Sequence, residues 1–312
     1  YLFSRQMPSL AAGIAPVTAP VERGVVIACL RIFSGTSRMD LPIFQIDAFT
    51  LKNPSALSGN PAAVVPLNDW LDDRQMQDIA AENNLSETTF FVKQDDDSYH
   101  LRWFTPTSEV DLCGHATLAT AHVIHQILED EREQLPMTCQ AGNISVSVLS
   151  KKSPVRYRLE FPQRAPEAVT GKRLLNKISK ILNTDVQELH QSRDLIAVLK
   201  DEAAVRDCNP DFAALGDLDC FALAITAPAE HGRIDFVSRF FAPRQGINED
   251  PVTGSSFCSL TPLWAEKLGK TRLQARQISQ RGGQLSLDMK GDTVRITGST
   301  YHYMQGVIRI PD

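Results

Sequence analysis

The fold of this chain follows from a stretch at residues 102–117, RWFTPTSEVDLCGHAT, and from its counterpart at residues 239–256, RFFAPRQGINEDPVTGSS. Each copy reads as an aromatic strand, a proline turn, an acidic residue and, five residues after that acid, a glycine that opens an apolar, helix-like segment. The second copy has three more residues between its proline and its glutamate. A repeat at about half the chain length predicts two duplicated halves, because solenoid repeats recur every ~20–50 residues.

The pattern on either side of these copies predicts an α+β fold. Strand-like runs outnumber helix-like runs and follow one another at the end of the chain. We predict helices at residues 72–83, 174–182 and 184–190 and one after each repeated glycine, the last being interrupted by Pro262. Each half is therefore expected to be a sheet wrapped around one central helix, with a functional cleft where the two repeated loops meet.

Three segments are expected along the chain. Residues 1–38 are rich in Ala, Pro, Ser and Gly, and we predict a disordered or non-native N-terminal extension without function, with Met39 opening the patterned sequence. The first half is predicted at residues 39–153 and the second at residues 154–312. The length of 312 residues gives each half enough chain for its own core.

The composition excludes several classes of function. The chain has 43% hydrophobic residues, 22% charged residues and a net charge of −5, and its basic residues are too scattered for a nucleic-acid surface. No apolar run approaches the ~18 residues that span a bilayer, so no membrane association is expected. The six cysteines form no Cys-x-x-Cys pair and no dense disulfide spacing, which predicts a reducing, cytoplasmic setting.

Glu87 is a candidate general acid/base. It lies between a predicted helix end and the apolar strand at residues 88–92. A carboxylate in that position loses part of its hydration, which suits proton transfer near neutral pH. The alternative is a strand-edge glutamate that only faces solvent.

The pairs Gly114-His115 and Gly254-Ser255 each open a predicted helix. A glycine lets the backbone approach a ligand, and the N–H groups and dipole of a helix start favour an anion. One such turn alone would be an ordinary helix cap, but two at matched positions favour a shared anion site.

Three polar residues of these turns have open roles. His115 is a candidate proton carrier or a satisfied structural histidine. Asp250 would orient a substrate or hold a proton opposite Glu87, or else stabilise the turn. Ser255 lacks the surroundings of a nucleophile, and Glu109 in the first copy is expected to be structural.

A metal site and a bound cofactor are not expected. Cys113, His115, His122 and His125 are metal-ligand types, but they lack a recognised zinc spacing. The chain also has no phosphate loop, no dinucleotide fingerprint and no lysine-based cofactor motif, which favours a cofactor-free enzyme.

Five motifs resemble those of the phenazine-biosynthesis PhzF family and occur in the family's order. They are GNPAAVV at residues 59–65, SETTF at residues 86–90, RWFTP at residues 102–106, CGHAT at residues 113–117 and EDPVTGS at residues 249–255. The resemblance covers about residues 39–312. It implies a diaminopimelate epimerase-like fold with two pseudo-symmetric halves, each a β-barrel-like sheet around a central helix, and an active site in the cleft between them.

The resemblance also implies cofactor-independent isomerase chemistry on a small-molecule carboxylate. Characterised PhzF enzymes isomerise trans-2,3-dihydro-3-hydroxyanthranilate by moving a proton along the ring. The helix starts would hold the substrate carboxylate and stabilise developing negative charge, and a homodimer is expected from the family alone. The matching residues here are Glu87, His115 and Asp250 as catalytic groups and Gly114, Gly254 and Ser255 as substrate-binding groups.

Two other functions stay open at this point. One is a racemase or epimerase that acts on another small carboxylate, and the other is a member of the fold that binds a small molecule or a protein without turnover. Epimerase relatives use two cysteines at the helix-opening turns, whereas here Cys113 precedes the first glycine and Cys258 lies beyond the second turn. Epimerisation by a cysteine pair is therefore not expected, and the physiological substrate does not follow from the resemblance.

Overall fold

The computed structural model describes residues 39–52, 57–150, 153–230 and 232–310. The predictions for residues 1–38 lie outside the described residues. Within these ranges the helices are α1 (Asp73–Asn83), α2 (Gly114–His122), α3 (Lys172–Leu182), α4 (Glu202–Asp207), α5 (Phe212–Gly216) and α6 (Phe257–Leu268), with shorter helical turns at Val123–Ile127, Pro243–Gln245 and Gly254–Ser256. No helix in the described ranges combines the length and the apolar character that crossing a bilayer requires.

The strands of the described ranges join in one extended sheet. They are β1 (Met39–Ala48), β2 (Asn60–Leu67), β3 (Glu87–Lys93), β4 (Tyr99–Phe104), β5 (Glu109–Val110), β6 (Gln134–Cys139), β7 (Gly142–Ser150), β8 (Arg156–Pro162), β9 (Glu167–Ala168), β10 (Val186–Gln191), β11 (Leu195–Leu199), β12 (Leu223–Pro228), β13 (Phe236–Ala242), β14 (Ile247–Asp250), β15 (Arg272–Gln277), β16 (Gly283–Lys290) and β17 (Thr293–Ile310).

The two halves repeat one order of elements. In the first half, β2 and β3 are parallel, β4 returns antiparallel to β3, β5 pairs with β4, and α2 follows. In the second half, β11 and β12 are parallel, β13 returns antiparallel to β12, β14 pairs with β13, and α6 follows. The strand after each helix, β6 or β15, then runs parallel to the aromatic strand β4 or β13. The predicted duplication and the α+β class are therefore confirmed.

Each half is built around one buried helix. All nine residues of α2 are buried, and the helix contacts β1, β2, β3, β8 and β17. In α6 the apolar side chains Phe257, Leu260 and Trp264 are buried, and the helix contacts β15, β16 and β17. Side chains of both helices belong to one continuous apolar core, so removal of this surface from water stabilises the two halves together.

Pro262 lies inside α6 without ending it. A proline has no N–H to donate to the carbonyl four residues earlier, which here belongs to Cys258. That carbonyl instead accepts the backbone N–H of Arg164 at 2.8 Å. The helix can continue past the proline because the segment after β8 satisfies the carbonyl that the proline leaves without a partner.

The predicted helix at residues 184–190 is wrong. Residues Val186–Gln191 form β10, which is antiparallel to β11. Val186 and Leu189 are both buried and lie three positions apart, which is a helical spacing. A β-bulge between Val186 and Glu188 adds one residue to the strand, so a spacing of three returns to the same face of the sheet.

Strand β17 connects the two halves by main-chain hydrogen bonds. Its residues 293–299 pair with β8, and residues 293–297 also pair with β16. Its residues 300–310 pair with β1, the opening strand of the first half. Because β17 pairs with strands of both halves, the folding of each half depends on strands of the other half. The boundary between residues 153 and 154 stays a prediction.

Gly298 of β17 lies where the core leaves no room for a side chain. A Cβ at this position would be 2.2 Å from Cδ1 of Phe49 and 3.2 Å from Cδ2 of Leu118. We expect Gly298→Ala to lower the free energy of unfolding by about 1–3 kcal/mol, because the overpacked core must shift. Urea denaturation followed by fluorescence measures the change.

Gly306→Ala is the matched control in the same strand. The nearest atom to a Cβ at position 306 is 3.9 Å away, in Ile43, so this substitution should change the free energy of unfolding by less than about 1 kcal/mol. Equal stability of the two variants would contradict the close packing of β17 on Phe49.

Candidate active site

The starts of the two central helices touch each other. A Cβ on Gly114 would be 3.6 Å from Cα of Gly254, and a Cβ on Gly254 would be 3.4 Å from Cε2 of Phe49. The ring of Phe161 lies on the other side, 3.7 Å from a Cβ at position 114. A Cβ at either position would be in ordinary van der Waals contact with the other glycine, so the two helix backbones meet here without a side chain between them.

The helix starts bring backbone N–H groups that lack helical carbonyls to the same place. The first main-chain bond of α2 runs from Thr117 N to Cys113 O at 3.1 Å, and that of the second turn runs from Ser256 N to Thr253 O at 3.2 Å. The N–H groups just before these donors have no helical carbonyl within reach. Because the positive ends of two helix dipoles add to these donors, the contact between the helix starts favours an anion.

Glu87 and His115 form a nearly buried pair beside this contact. Glu87 is the first residue of β3 and His115 is the second residue of α2. The His115 Nε2 atom lies 3.1 Å from Glu87 Oε2, and the two side chains are 4% and 13% exposed. A carboxylate and an imidazole at this distance can share or exchange a proton.

The other nitrogen of His115 faces Cys113 and Asn60. The Nδ1 atom is 3.4 Å from Cys113 Sγ and 3.3 Å from Asn60 Nδ2. Burial acts to lower the pKa of His115, but Cys113 and the Glu87 carboxylate outweigh it, and the pKa lies well above its usual value. Burial also raises the pKa of the Cys113 thiol, so we attribute the raised pKa of His115 mainly to Glu87.

Asp250 approaches the site from the second half of the chain. Its Oδ1 accepts a hydrogen bond from Asn60 Nδ2 at 2.8 Å, and its Oδ2 accepts one from the Thr253 hydroxyl. Burial raises the pKa of Asp250, and the charge of His115 and these hydrogen bonds only partly oppose the rise. Asp250 and Glu87 are therefore two carboxyl groups in different surroundings, which is the condition for separate acid and base roles.

Asn60 and Gln277 are site residues that the sequence reasoning missed. Asn60 is fully buried and also donates to Val252 O at 3.0 Å, so one amide contacts both halves. Gln277 accepts from Thr253 N at 2.9 Å and donates to Asp250 O at 2.7 Å, which fixes the second turn. The motif around residues 59–65 was a signal for Asn60, whereas no local pattern marks Gln277.

A cavity of about 610 Å³ opens at the contact between the helix starts. This volume suits a small-molecule ligand. Residues from both halves line it, so the structure brings all six predicted site residues to one place. These are Glu87, Gly114, His115, Asp250, Gly254 and Ser255.

The residues considered for a metal do not come together as the sequence grouped them. His122 contacts Thr300 Oγ1 through Nδ1 at 2.8 Å, and His125 lies beside Tyr157, so both are buried away from His115 and Cys113. Ligand atoms of Glu87, Cys113 and His115 do lie within 4.8 Å of one another. The imidazole lies beside the thiol with Nδ1, at 3.4 Å from Sγ, and beside the carboxylate with Nε2, at 3.1 Å from Oε2.

The repeated arginine and glutamate residues form matching ion pairs. Arg102 donates to Glu109 through Nε and Nη2 at 2.7 Å each. Arg239 donates to Glu249 through Nε at 2.7 Å and through Nη2 at 2.9 Å. Each bidentate ion pair stabilises the turn that leads to a helix start. The repeated sequence therefore contains both the site residues and the ion pairs that stabilise their turns.

His122 should make the stability of the protein sensitive to acid. Burial lowers its pKa to about 3, and the charges of His302 and His125 act in the same direction. An unfolded histidine titrates near pH ~6.5, so below that pH the unfolded chain binds a proton that the folded chain does not. As the pH is lowered from about 6.5 toward about 3, the free energy of unfolding should therefore decrease. The decrease is up to about 1.4 kcal/mol per pH unit for this one group.

Urea denaturation of His122→Gln across this window measures the effect. We expect the variant to be less stable than wild type near neutral pH but to lose less stability between about pH 7 and pH 5. His100→Gln, which removes a histidine of β4 that packs on Trp70 and lies outside the His122 cluster, is the control. Parallel pH profiles for wild type and His122→Gln would contradict the assignment.

Comparison with known proteins identifies the family. The family model described as PhzC-PhzF, phenazine biosynthesis-like protein, matches residues 46–306. An uncharacterised isomerase of Pseudomonas aeruginosa is 46% identical over 277 residues, which cover 87% of this chain and 100% of that protein. A PhzF-family crystal structure from Enterococcus faecalis is 44% identical with a TM-score of 0.80 and covers 86% of this chain and 99% of that one.

A more distant structure shares the fold alone. A predicted epimerase from Pseudomonas aeruginosa has a TM-score of 0.69 at 18% identity and covers 86% of this chain and 99% of that one. The fold class implied by the sequence resemblance, two pseudo-symmetric halves of the diaminopimelate epimerase type, is thus confirmed. The chain belongs to the PhzF family of phenazine biosynthesis-like proteins.

Proposed function

We propose that this protein is a cofactor-independent isomerase that moves a proton within a small cyclic or amino carboxylic acid. The observation that carries the proposal is the Glu87–His115 pair, with 3.1 Å between Oε2 and Nε2, at the contact of the two helix starts. The name of the relative from Pseudomonas aeruginosa as an isomerase supports the same class of reaction.

The helix starts supply the binding site for the substrate carboxylate. Gly114 and Gly254 line the cavity from opposite halves, and neither glycine has a side chain to cover its backbone N–H group. An anion held there is stabilised by the positive ends of two helix dipoles. The same donors stabilise the negative charge that develops when a proton leaves a carbon of the substrate.

Glu87 is the base that moves the proton. Its carboxylate takes a proton from one carbon, the electron pair of that C–H bond delocalises into the substrate, and the Glu87 carboxylic acid returns the proton at another carbon. His115 contacts Glu87 and, with its raised pKa, provides a positive charge beside the carboxylate. Asp250 orients the substrate from the second half. Asn60 holds the Asp250 carboxyl group in place by a hydrogen bond.

A racemase or epimerase of a small carboxylate is the second candidate. The observation that favours it is Asp250, a second carboxyl group that lines the same cavity from the other half and whose pKa is raised by burial. In that reaction one carboxyl group removes the proton from one face of a carbon and the other returns a proton to the opposite face.

Glu87→Gln tests the proposed base. Wild type and variant are incubated in D2O with trans-2,3-dihydro-3-hydroxyanthranilate and a panel of small cyclic and amino carboxylic acids, and NMR follows deuterium uptake. We expect wild-type exchange to fall by at least about 100-fold in the variant, because the amide cannot accept the proton. Glu82→Gln, which changes an exposed glutamate of α1, should keep wild-type exchange.

The pattern of exchange separates the candidate functions. Deuterium at a new carbon supports the isomerase, whereas deuterium at the original carbon with inversion supports a racemase. Equal exchange in wild type and Glu87→Gln would remove Glu87 from its proposed role. A panel member that binds without any exchange in wild type would favour the non-catalytic binding protein.

A further inference from the structure

Two arginines line the cavity and have no part in the proposed proton transfer. Arg164 follows β8, and Arg193 lies between β10 and β11. Both belong to the second half and lie at the first turn of α6. The carboxyl groups assigned to chemistry, Glu87 and Asp250, line the same cavity, so the cavity contains buried acids and, at its second-half rim, two cations.

Arg193 is held in one orientation. Its Nε donates to Asp194 Oδ1 at 2.8 Å, and its Nη2 donates to Asp194 Oδ2 at 2.9 Å. The Nη2 group also donates to Ser255 Oγ at 3.0 Å, directly at the second helix start. Asp194 is only 2% exposed, and the guanidinium carbon lies 4.5 Å from the centre of the Phe221 ring. A guanidinium fixed on three sides loses little entropy when it binds a ligand.

The remaining donors of Arg193 are available to a ligand. A guanidinium has five N–H groups, and the contacts with Asp194 and Ser255 use those on Nε and Nη2. Among the described residues, Nη1 has no hydrogen-bond partner. Phe221, which also lines the cavity, is 44% exposed, so the Arg193 guanidinium and this ring form part of an open wall.

Arg164 adds a second positive charge to the lining of the cavity. Its backbone N–H donates to Cys258 O at 2.8 Å, which holds the segment after β8 against α6. Its side chain makes no ion pair with any described residue. Burial raises the pKa of the Cys258 thiol to about 11, while the charges of Arg164 and Arg193 both act against the rise. Both cations therefore lie near the first turn of α6.

The opposite rim of the cavity differs in charge. Glu109 and Asp111 line it on the first-half side, and Glu109 is already paired with Arg102. A ligand with an acid group is therefore drawn to the second-half rim and away from Asp111. The volume of about 610 Å³ leaves room for a ligand that reaches from the helix starts to this rim.

We propose that Arg164 and Arg193 form a second acid-binding subsite, so that the substrate is a dicarboxylic acid with one carboxylate at the helix starts and the other at the two guanidinium groups. This inference rests on the proposed function for the first carboxylate and adds the class of substrate. The N–H groups of Arg193 Nη1, which the contacts with Asp194 and Ser255 leave unused, can donate charge-assisted hydrogen bonds to a carboxylate.

Isothermal titration calorimetry with simple acids tests the subsite without turnover. The probes are the straight-chain dicarboxylates from succinate to adipate and the monocarboxylates of equal chain length, in a buffer of low ionic strength. We expect one dicarboxylate to bind at least about tenfold more tightly than its matched monocarboxylate. Arg164→Gln should remove most of that difference while leaving the affinity for the monocarboxylate unchanged.

Two further variants separate the subsite from general effects. Arg193→Gln leaves the buried Asp194 without its cation, which destabilises the fold. Arg193→Lys is therefore the better variant: it keeps a charge beside Asp194 but loses the Nη1 donors, and it should bind the dicarboxylate about fivefold or more weakly. Arg272→Gln removes an 87% exposed arginine of β15 and should leave all affinities unchanged.

The outcomes distinguish this inference from the proposed function. Equal affinity for mono- and dicarboxylates, or a preference for dicarboxylates that survives Arg164→Gln and Arg193→Lys, overturns the subsite. The subsite is supported if the preference for dicarboxylates is lost in Arg164→Gln and Arg193→Lys but kept in Glu87→Gln. If that supporting result is accompanied by no proton exchange in wild type with any member of the panel of cyclic and amino carboxylic acids, the subsite stands and the isomerase proposal fails.

Discussion

The close approach of Gly114 and Gly254 is the constraint on which the rest of the site depends. A Cβ on either glycine would lie within 3.6 Å of the other glycine's Cα. Because both residues start a central helix, their contact brings two helix starts, whose first N–H groups lack helical carbonyls, to the lining of one cavity. Phe49 packs against this contact and against Gly298 of β17, so the apolar core and the polar site share one wall.

The electrostatics of the cavity depend on contacts that cross between the halves. Glu87 and His115 belong to the first half and form a nearly buried pair, whereas Asp250 comes from the second half. One amide, that of Asn60, contacts both His115 and Asp250. Buried charges are stable only when hydrogen bonds replace the lost hydration, so neither half would present these groups in the same protonation states alone.

The sequence predicted the features that short stretches encode. The repeat around the two helix starts predicted the duplication and the cleft, and the five motifs located all six cavity-lining site residues. The sequence did not predict features that depend on contacts between residues far apart in the chain. Asn60 and Asp250 are 190 residues apart, and the β-bulge that turns Val186 and Leu189 to one face leaves a helical spacing in the sequence. Arg193 precedes Asp194 as an ordinary charged pair, and only the burial of Asp194 shows its role.

The most direct test of the account is whether one ligand engages both helix starts at once. Glycine-selective 15N labelling of deuterated protein allows the amide resonances of Gly114 and Gly254 to be followed while a small carboxylic acid is titrated. The account predicts that both resonances shift together with a single dissociation constant, while that of Gly306, on the exposed part of β17, stays unchanged. A shift confined to one of the two helix starts would contradict a shared anion site between the halves.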